Sequence, residues 1–166
     1  ATLEGRGYID RSEGGEYKLS RRLMFVQDEG SLEERLRACA LPAMQELVDA
    51  FKETVNLGIL DGGEVIVIET IESPQAVRMS SKVGNRRYVH STALGKVMLA
   101  DMQEKDVIRL LRMKGMPRMT PNTITAEAAL LRHLRLVREQ GFAIDNQEHE
   151  PDGRCIGVAI RDARDD

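Results

Sequence analysis

Tryptophan is absent from the 166 residues, and tyrosine and phenylalanine number three each. Proteins that read single-stranded nucleic acid stack bases on exposed aromatic rings, and this chain has too few rings to spare for such a platform. Cysteine is scarcer still, at two. Cys39 and Cys155 stand far apart with no CxxC spacing, which argues against a zinc module or a dithiol motif, and both read as reduced, mostly buried small side chains. No apolar run is long enough to span a bilayer, and the N-terminus lacks the basic and apolar regions of a secretory signal. A soluble cytoplasmic protein with no membrane partner is expected. A dominant charge is also missing: 24 Lys and Arg against 27 Asp and Glu leave a net charge of −3. There is no global attraction to DNA, so any contact with it needs a local patch.

What remains is ordinary globular material, 42% hydrophobic and 31% charged, on a chain long enough to bury roughly two thirds of its unfolded surface. Tyr8 to Ser12 and Glu16 to Ser20 read as two short strands around Gly14 and Gly15. A two-stranded hairpin has no second layer of its own, so it is expected to be the remnant of a larger domain that begins before Ala1. Residues 23–30 read as a helical linker. From Ser31 to Val55 a capping box (Ser31, Glu34) opens a helix whose buried face would be Leu32, Leu36, Ala40, Ala43, Leu47 and Phe51, with Pro42 kinking or breaking it near Ala38.

Asn56 to Leu60 and Glu64 to Glu72, β-branched and separated by Asp61-Gly62-Gly63, predict a hairpin. Ala76 to Ser81 predicts a third strand, and Gly84 to His90, without periodicity, a loop. Two or three helices follow, over Thr92 to Met102, Glu104 to Met113 and Ala126 to Gln140, the last and clearest capped by Thr125 and stopped by a left-handed Gly141. Lys114 to Thr125 reads as a surface loop. Phe142 to Asp145 and Cys155 to Ile160 close the chain as strands. Strands, helices, then strands again give an α+β layer fold with an antiparallel sheet.

The segment richest in chemical possibility is His90-Ser-Thr-Ala-Leu-Gly-Lys96. A loop delivers Ser91 and Thr92 to a helix start whose unbonded amides and partial positive charge favour a docked carboxylate or phosphate. The plainer alternative is that Ser91 or Thr92 only caps the helix and Gly95 only permits close packing. Gly95-Lys96 is not a phosphate loop, since His90 stands where that motif needs glycine and Val97 where it needs Ser or Thr. His90, His133 and His149 lack metal-ligand spacing; a mononuclear site from His90, Asp145, His149 and Cys155 is conceivable only if the fold gathers them, and His133, beside Arg132 and Arg135, reads as solvated. No nucleophilic triad stands out and no cofactor is called for. Arg11 and Lys18 on the first hairpin fit the wing of a winged helix lying along a phosphate backbone, although Glu4, Asp10, Glu13 and Glu16 nearly cancel the local charge.

Taken in order, four motifs resemble the IclR family of bacterial transcription regulators over essentially the whole chain. They are Gly7-Tyr-Ile-Asp-Arg-Ser with Tyr17-Lys-Leu-Ser, Ala40-Leu-Pro with Glu53-Thr-Val-Asn-Leu, His90-Ser-Thr-Ala-Leu-Gly-Lys with Leu99-Ala100, and Gly141-Phe-Ala-Ile-Asp followed by His149 and Gly153-Arg-Cys155. The resemblance implies a GAF-like (profilin-like) effector domain at 31–166, truncated at its C-terminus, preceded by the linker at 23–30 and by the wing of a winged helix-turn-helix at 1–22. It implies a pocket lined by Met79, Arg87, Ser91, Thr92, Ala93, Leu94, Gly95, Asp145 and Cys155, where Arg87 departs from the apolar residue common in the family. It further implies a carboxylate effector, double-stranded operator DNA read through the mostly missing N-terminal domain, a homodimer or homotetramer, and no enzymatic activity. Two other readings stay open: redox chemistry at Cys155, and an oligomerisation module without a ligand.

Overall fold

The computed structural model describes residues 9–11, 17–19 and 32–161. The chain divides into two compact units, Ala1–Glu46 and Leu47–Asp166. In the first, β1 (Ile9–Arg11) pairs antiparallel with β2 (Tyr17–Leu19), setting Arg11 opposite Tyr17 and Lys18 opposite Asp10. This is the hairpin expected around the two glycines. The proposed linker at 23–30 and the capping Ser31 lie outside the described residues.

Helix α1 (Leu32–Phe51) runs across the unit boundary as one 20-residue element with Pro42 inside it, rather than as two pieces. Its expected buried face is wrong. Leu32, Leu47 and Phe51 are 72%, 46% and 69% exposed, and the buried positions are Met44 and Val48. Apolar periodicity reports which stripe is greasy, while burial depends on which stripe meets the rest of the fold. Cys39, expected to be buried, is exposed on the same helix.

In the second unit β3 (Val55–Asp61) and β4 (Glu64–Ile71) form the predicted hairpin around Gly62 and Gly63, both at positive φ, with a register shift at Leu57/Gly58. Two expectations fail next to it. Ala76 to Ser81 is an exposed loop, and β5 (Arg86–Tyr88), expected to be a loop, is the third strand of the sheet β3-β4-β5. Its pairing with Glu64, Val65 and Ile66 supplies what its own sequence does not, aided by Arg86, which bridges Asp61 at 2.5 Å and Glu64 at 3.2 Å.

The helices α2 (Ala93–Asp101), α3 (Glu104–Lys114) and α4 (Glu127–Gln140) match their predicted spans to within a residue or two. Gly141 closes α4 at φ 82°, as expected. Thr125 does not cap α4: Ala126 is the N-cap, and the Thr125 hydroxyl accepts from Arg118 instead. β6 (Phe142–Asn146) and β7 (Arg154–Val158) form a further antiparallel pair. Leu99, Leu130 and Ala143 are fully buried and, with Val65, Val107 and Val137, make one core that joins α2, α3 and α4 to the strands. The observed architecture is α+β with small antiparallel sheets, in agreement with the fold class read from the sequence.

Candidate functional site

The site is built where β5 turns into α2. Thr92 caps that helix: its hydroxyl donates to the Tyr88 carbonyl at 3.0 Å and accepts from the Gly95 amide at 3.1 Å, fastening helix to strand. Gly95 has to be glycine, because a Cβ there would fall 2.3 Å from the Val89 backbone. Of the three amides proposed as free donors, Gly95 is therefore taken by Thr92, whereas those of Ala93 and Leu94 donate to no group among the described residues. The backbone of Gly157 in β7 lies against these two, and a Cβ on it would come 3.1 Å from the Leu94 nitrogen. Leu94 itself points toward Gly58 and packs against the core, so it contributes its amide rather than its side chain.

The opposite wall comes from the turn after β6. Asp145, across from Cys155 in the ladder, accepts from the amides of Glu148 at 2.7 Å and His149 at 3.3 Å. Burial pushes its pKa up, and those two amides oppose the shift. The turn so formed sends the His149 ring toward α2, where Nδ1 lies 3.1 Å from Ser91 Oγ and Nε2 3.1 Å from Arg87 Nη1. A guanidinium can only donate, so Nε2 accepts and the ring proton sits on Nδ1, donating to Ser91. Burial and then Arg87 lower the His149 pKa, which favours this neutral ring. A serine facing a protonated ring nitrogen has no base to activate it, so the pair lacks the logic of a serine hydrolase. Glu150 lies 3.4 Å from Arg87.

Arg87, Ser91, Asp145 and Cys155 thus converge around His149, a residue that sequence reasoning cited as a conceivable metal ligand and as part of a motif but left out of the pocket. Met79 stays at the margin. Its carbonyl accepts from Thr54 and its side chain covers Gly153. The Cys155 thiol is pushed up by burial first, then by Asp145 and Glu150. A raised pKa is the reverse of what a redox nucleophile needs. The conceivable four-residue metal site does not assemble either: the buried His90 uses Nε2 on the Pro117 carbonyl at 3.0 Å, and no group of three possible ligands occurs among the described residues. Arg11 and Lys18 occupy the first unit, away from this cluster in sequence, at the register positions given above.

Two buried groups escaped the sequence reading. Lys96, rejected as a phosphate-loop lysine, is 0% exposed and donates to Glu148 Oε1 and to the Ile144 carbonyl, each at 2.5 Å. His133 is not solvated as expected, since its Nε2 is buried and burial lowers its pKa. The segment 114–125, expected to skim the surface, buries Thr120 and Thr123, whose hydroxyls hold the carbonyls of Gln147 and Glu148 at 2.6 Å each. None of these partners is near in sequence, so no local pattern could have announced them.

Residues 32–166 match the family model described as Bacterial transcriptional regulator IclR C-terminal. The chain belongs to the IclR family. It is 38% identical over 164 residues to the HTH-type transcriptional regulator XynR of Escherichia coli K12, covering 96% of this chain and 64% of that regulator. Among solved structures, the C-terminal domain of E. coli transcriptional regulator KdgR superposes with a TM-score of 0.70 at 39% identity, over 76% of this chain and 73% of that one. An IclR homologue from Microbacterium hydrocarbonoxydans, complexed with 4-hydroxybenzoate, gives a TM-score of 0.73 at 29% identity, over 97% of this chain and 67% of that one. The resemblance read from the four motifs is confirmed. These relatives are named as regulators rather than enzymes, which agrees with the hydrogen on His149 and the raised Cys155 thiol.

Proposed function

We propose that this IclR-family chain is the effector-sensing part of a DNA-binding transcription regulator, in which a small organic acid controls operator binding. The effector sits at Arg87, Ser91 and His149, against the amides of Ala93 and Leu94, with Asp145 and Cys155 on the far wall. The observation that carries this reading is the convergence itself: a half-buried guanidinium and a fully buried hydroxyl are tied through one neutral imidazole beside two unbonded helix-start amides. Such a set, cationic and rich in donors, suits a carboxylate. The hydroxybenzoate held by the Microbacterium homologue is a ligand of that class.

In the whole protein, residues 1–22 serve as the end of a winged helix-turn-helix, 23–30 as the linker and 31–166 as the effector domain. Symmetric half-sites in DNA call for at least a homodimer. The effector acts by binding one arrangement of the domains better than another, since equal affinity shifts nothing. Calorimetry with a panel of small carboxylates on the full chain tests the site: saturable heat that weakens at least tenfold on Arg87→Ala is expected. Unchanged affinity in that variant, or no binding by any carboxylate, removes the site from consideration.

A further inference from the structure

The side-chain alternation of β6 and β7 puts Asp145 and Cys155 on one face and Ile144 and Arg154 on the other. Beyond that second face lies a cleft of about 610 Å³, whose walls include Ile124, His133, Ile144, Glu148 and Arg154. Glu148 and His149 are neighbours in the chain, yet Glu148 serves this cleft and His149 the cluster at Ser91.

Two polar atoms of its lining residues, both buried beneath its surface, have no bonding partner among the described residues. Glu148 is 6% exposed, its Oε1 is held by Lys96, and its Oε2 has no partner among the described residues. His133 Nε2 is buried and equally bare. Buried polar atoms are almost always satisfied, and two bare ones in a single cleft mark where an outside group is wanted. Charge narrows the choice of group. Lys96 already balances Glu148, so an ammonium would set a second cation beside the first. A hydroxyl fits better, because it can donate to the carboxylate oxygen while bonding the imidazole nitrogen with its own oxygen. At the exposed rim, Arg154 makes no hydrogen bond or ion pair among the described residues, which leaves the cleft with one spare positive charge.

We propose that this cleft is a second ligand site, distinct from the effector site at Arg87, and that it takes a small hydroxycarboxylate. The hydroxyl seats between Glu148 Oε2 and His133 Nε2, the carboxylate meets Arg154, and the carbon chain lies on Ile124 and Ile144. Both bare atoms are closed to solvent, so the cleft must open slightly above them to admit the hydroxyl.

Three acids on one three-carbon skeleton separate the terms: lactate carries the hydroxyl, propionate lacks it, and alanine replaces it with an ammonium. Each is titrated into the isotopically labelled full chain and followed by backbone amide shifts. Lactate is expected to give saturable shifts at Ile124, His133, Ile144 and Arg154, with propionate and alanine at least tenfold weaker at the same amides. Arg154→Ala is expected to weaken lactate there at least tenfold, and His133→Leu to erase the preference for lactate over propionate. Glu148 is left intact because its loss strands Lys96. The proposal is overturned by lactate shifts confined to Arg87, Ser91 and Cys155, by equal affinity for propionate, by indifference to Arg154→Ala, or by the absence of any saturable shift, which would assign the two bare atoms to ordered water alone. Any of these results leaves the effector site standing, since that site is judged by Arg87→Ala.

Discussion

Two polar centres flank β6, and they are built in opposite ways. Lys96 and Glu148 meet directly, out of water, at 2.5 Å. Arg87 and Ser91 meet only through His149, in a half-buried setting where Glu150 also competes for the guanidinium. The first holds two full charges on each other and on the β6 backbone, Lys96 at the Ile144 carbonyl and Glu148 at the Asn146 amide, so it behaves as a fastener. The second has a neutral hub at a half-buried guanidinium, and under the proposed function those bonds are the ones an arriving anion would exchange. A protein that must be rigid and responsive within a few residues can separate the two tasks by placing adjacent side chains, Glu148 and His149, on different sides of one strand.

Breaking the fastener should have the largest effect. Glu148→Ala leaves a buried uncompensated ammonium and is expected to cost about 3–5 kcal/mol in chemical unfolding, whereas the double change Lys96→Met, Glu148→Leu should cost far less. A small loss in the single variant would mean that water reaches Lys96 and that the contrast drawn here is wrong. Gly95→Ala follows, at about 3 kcal/mol, since its Cβ would collide with the Val89 backbone rather than with a side chain that can move.

Acid should come next. His90, His133 and His149 all titrate below the ordinary value of 6.5 in the fold, each chiefly because of burial. Below about pH 6.5 the unfolded chain takes up protons that the folded one refuses, so the stability present above that pH is lost as pH falls toward the folded values. Tm measured from pH 8 to 5 should be flat at first and then decline; a flat profile throughout would put the three rings in water. The responsive centre should yield the smallest changes in stability. Ser91→Ala is expected to cost about 1–2 kcal/mol by stranding the His149 Nδ1 proton, and Arg87→Ala less than about 1 kcal/mol, although the latter carries the tenfold loss of carboxylate affinity.

How much of this could be read beforehand follows from where each residue finds its partner. The β3–β4 hairpin, the Gly141 stop and the spans of α2 to α4 were legible because their signals are local: β-branched runs around Asp-Gly-Gly, one left-handed glycine, and apolar residues three and four apart. β5 was not, because Arg86-Arg87-Tyr88 carries no alternation and becomes a strand through β4. Val77 and its neighbours looked like a strand, but no strand among the described residues pairs with them and Val77 is 92% exposed. At the site, the helix start and its capping threonine were legible from residue type alone. The Lys96–Glu148 pair and the His149 bridge were not, since their members stand 52, 58 and 62 residues apart. The stripe of α1 misled because greasiness was equated with burial.

The glycine at 157 carries a consequence of its own. With hydrogen where every other residue has carbon, β7 can lie against the first turn of α2 without stoppering the Leu94 amide. A methyl group there would fall 2.9 Å from the Ala93 carbonyl carbon and 3.1 Å from the Leu94 nitrogen, so strand and helix would have to part and the wall beside those amides would shift.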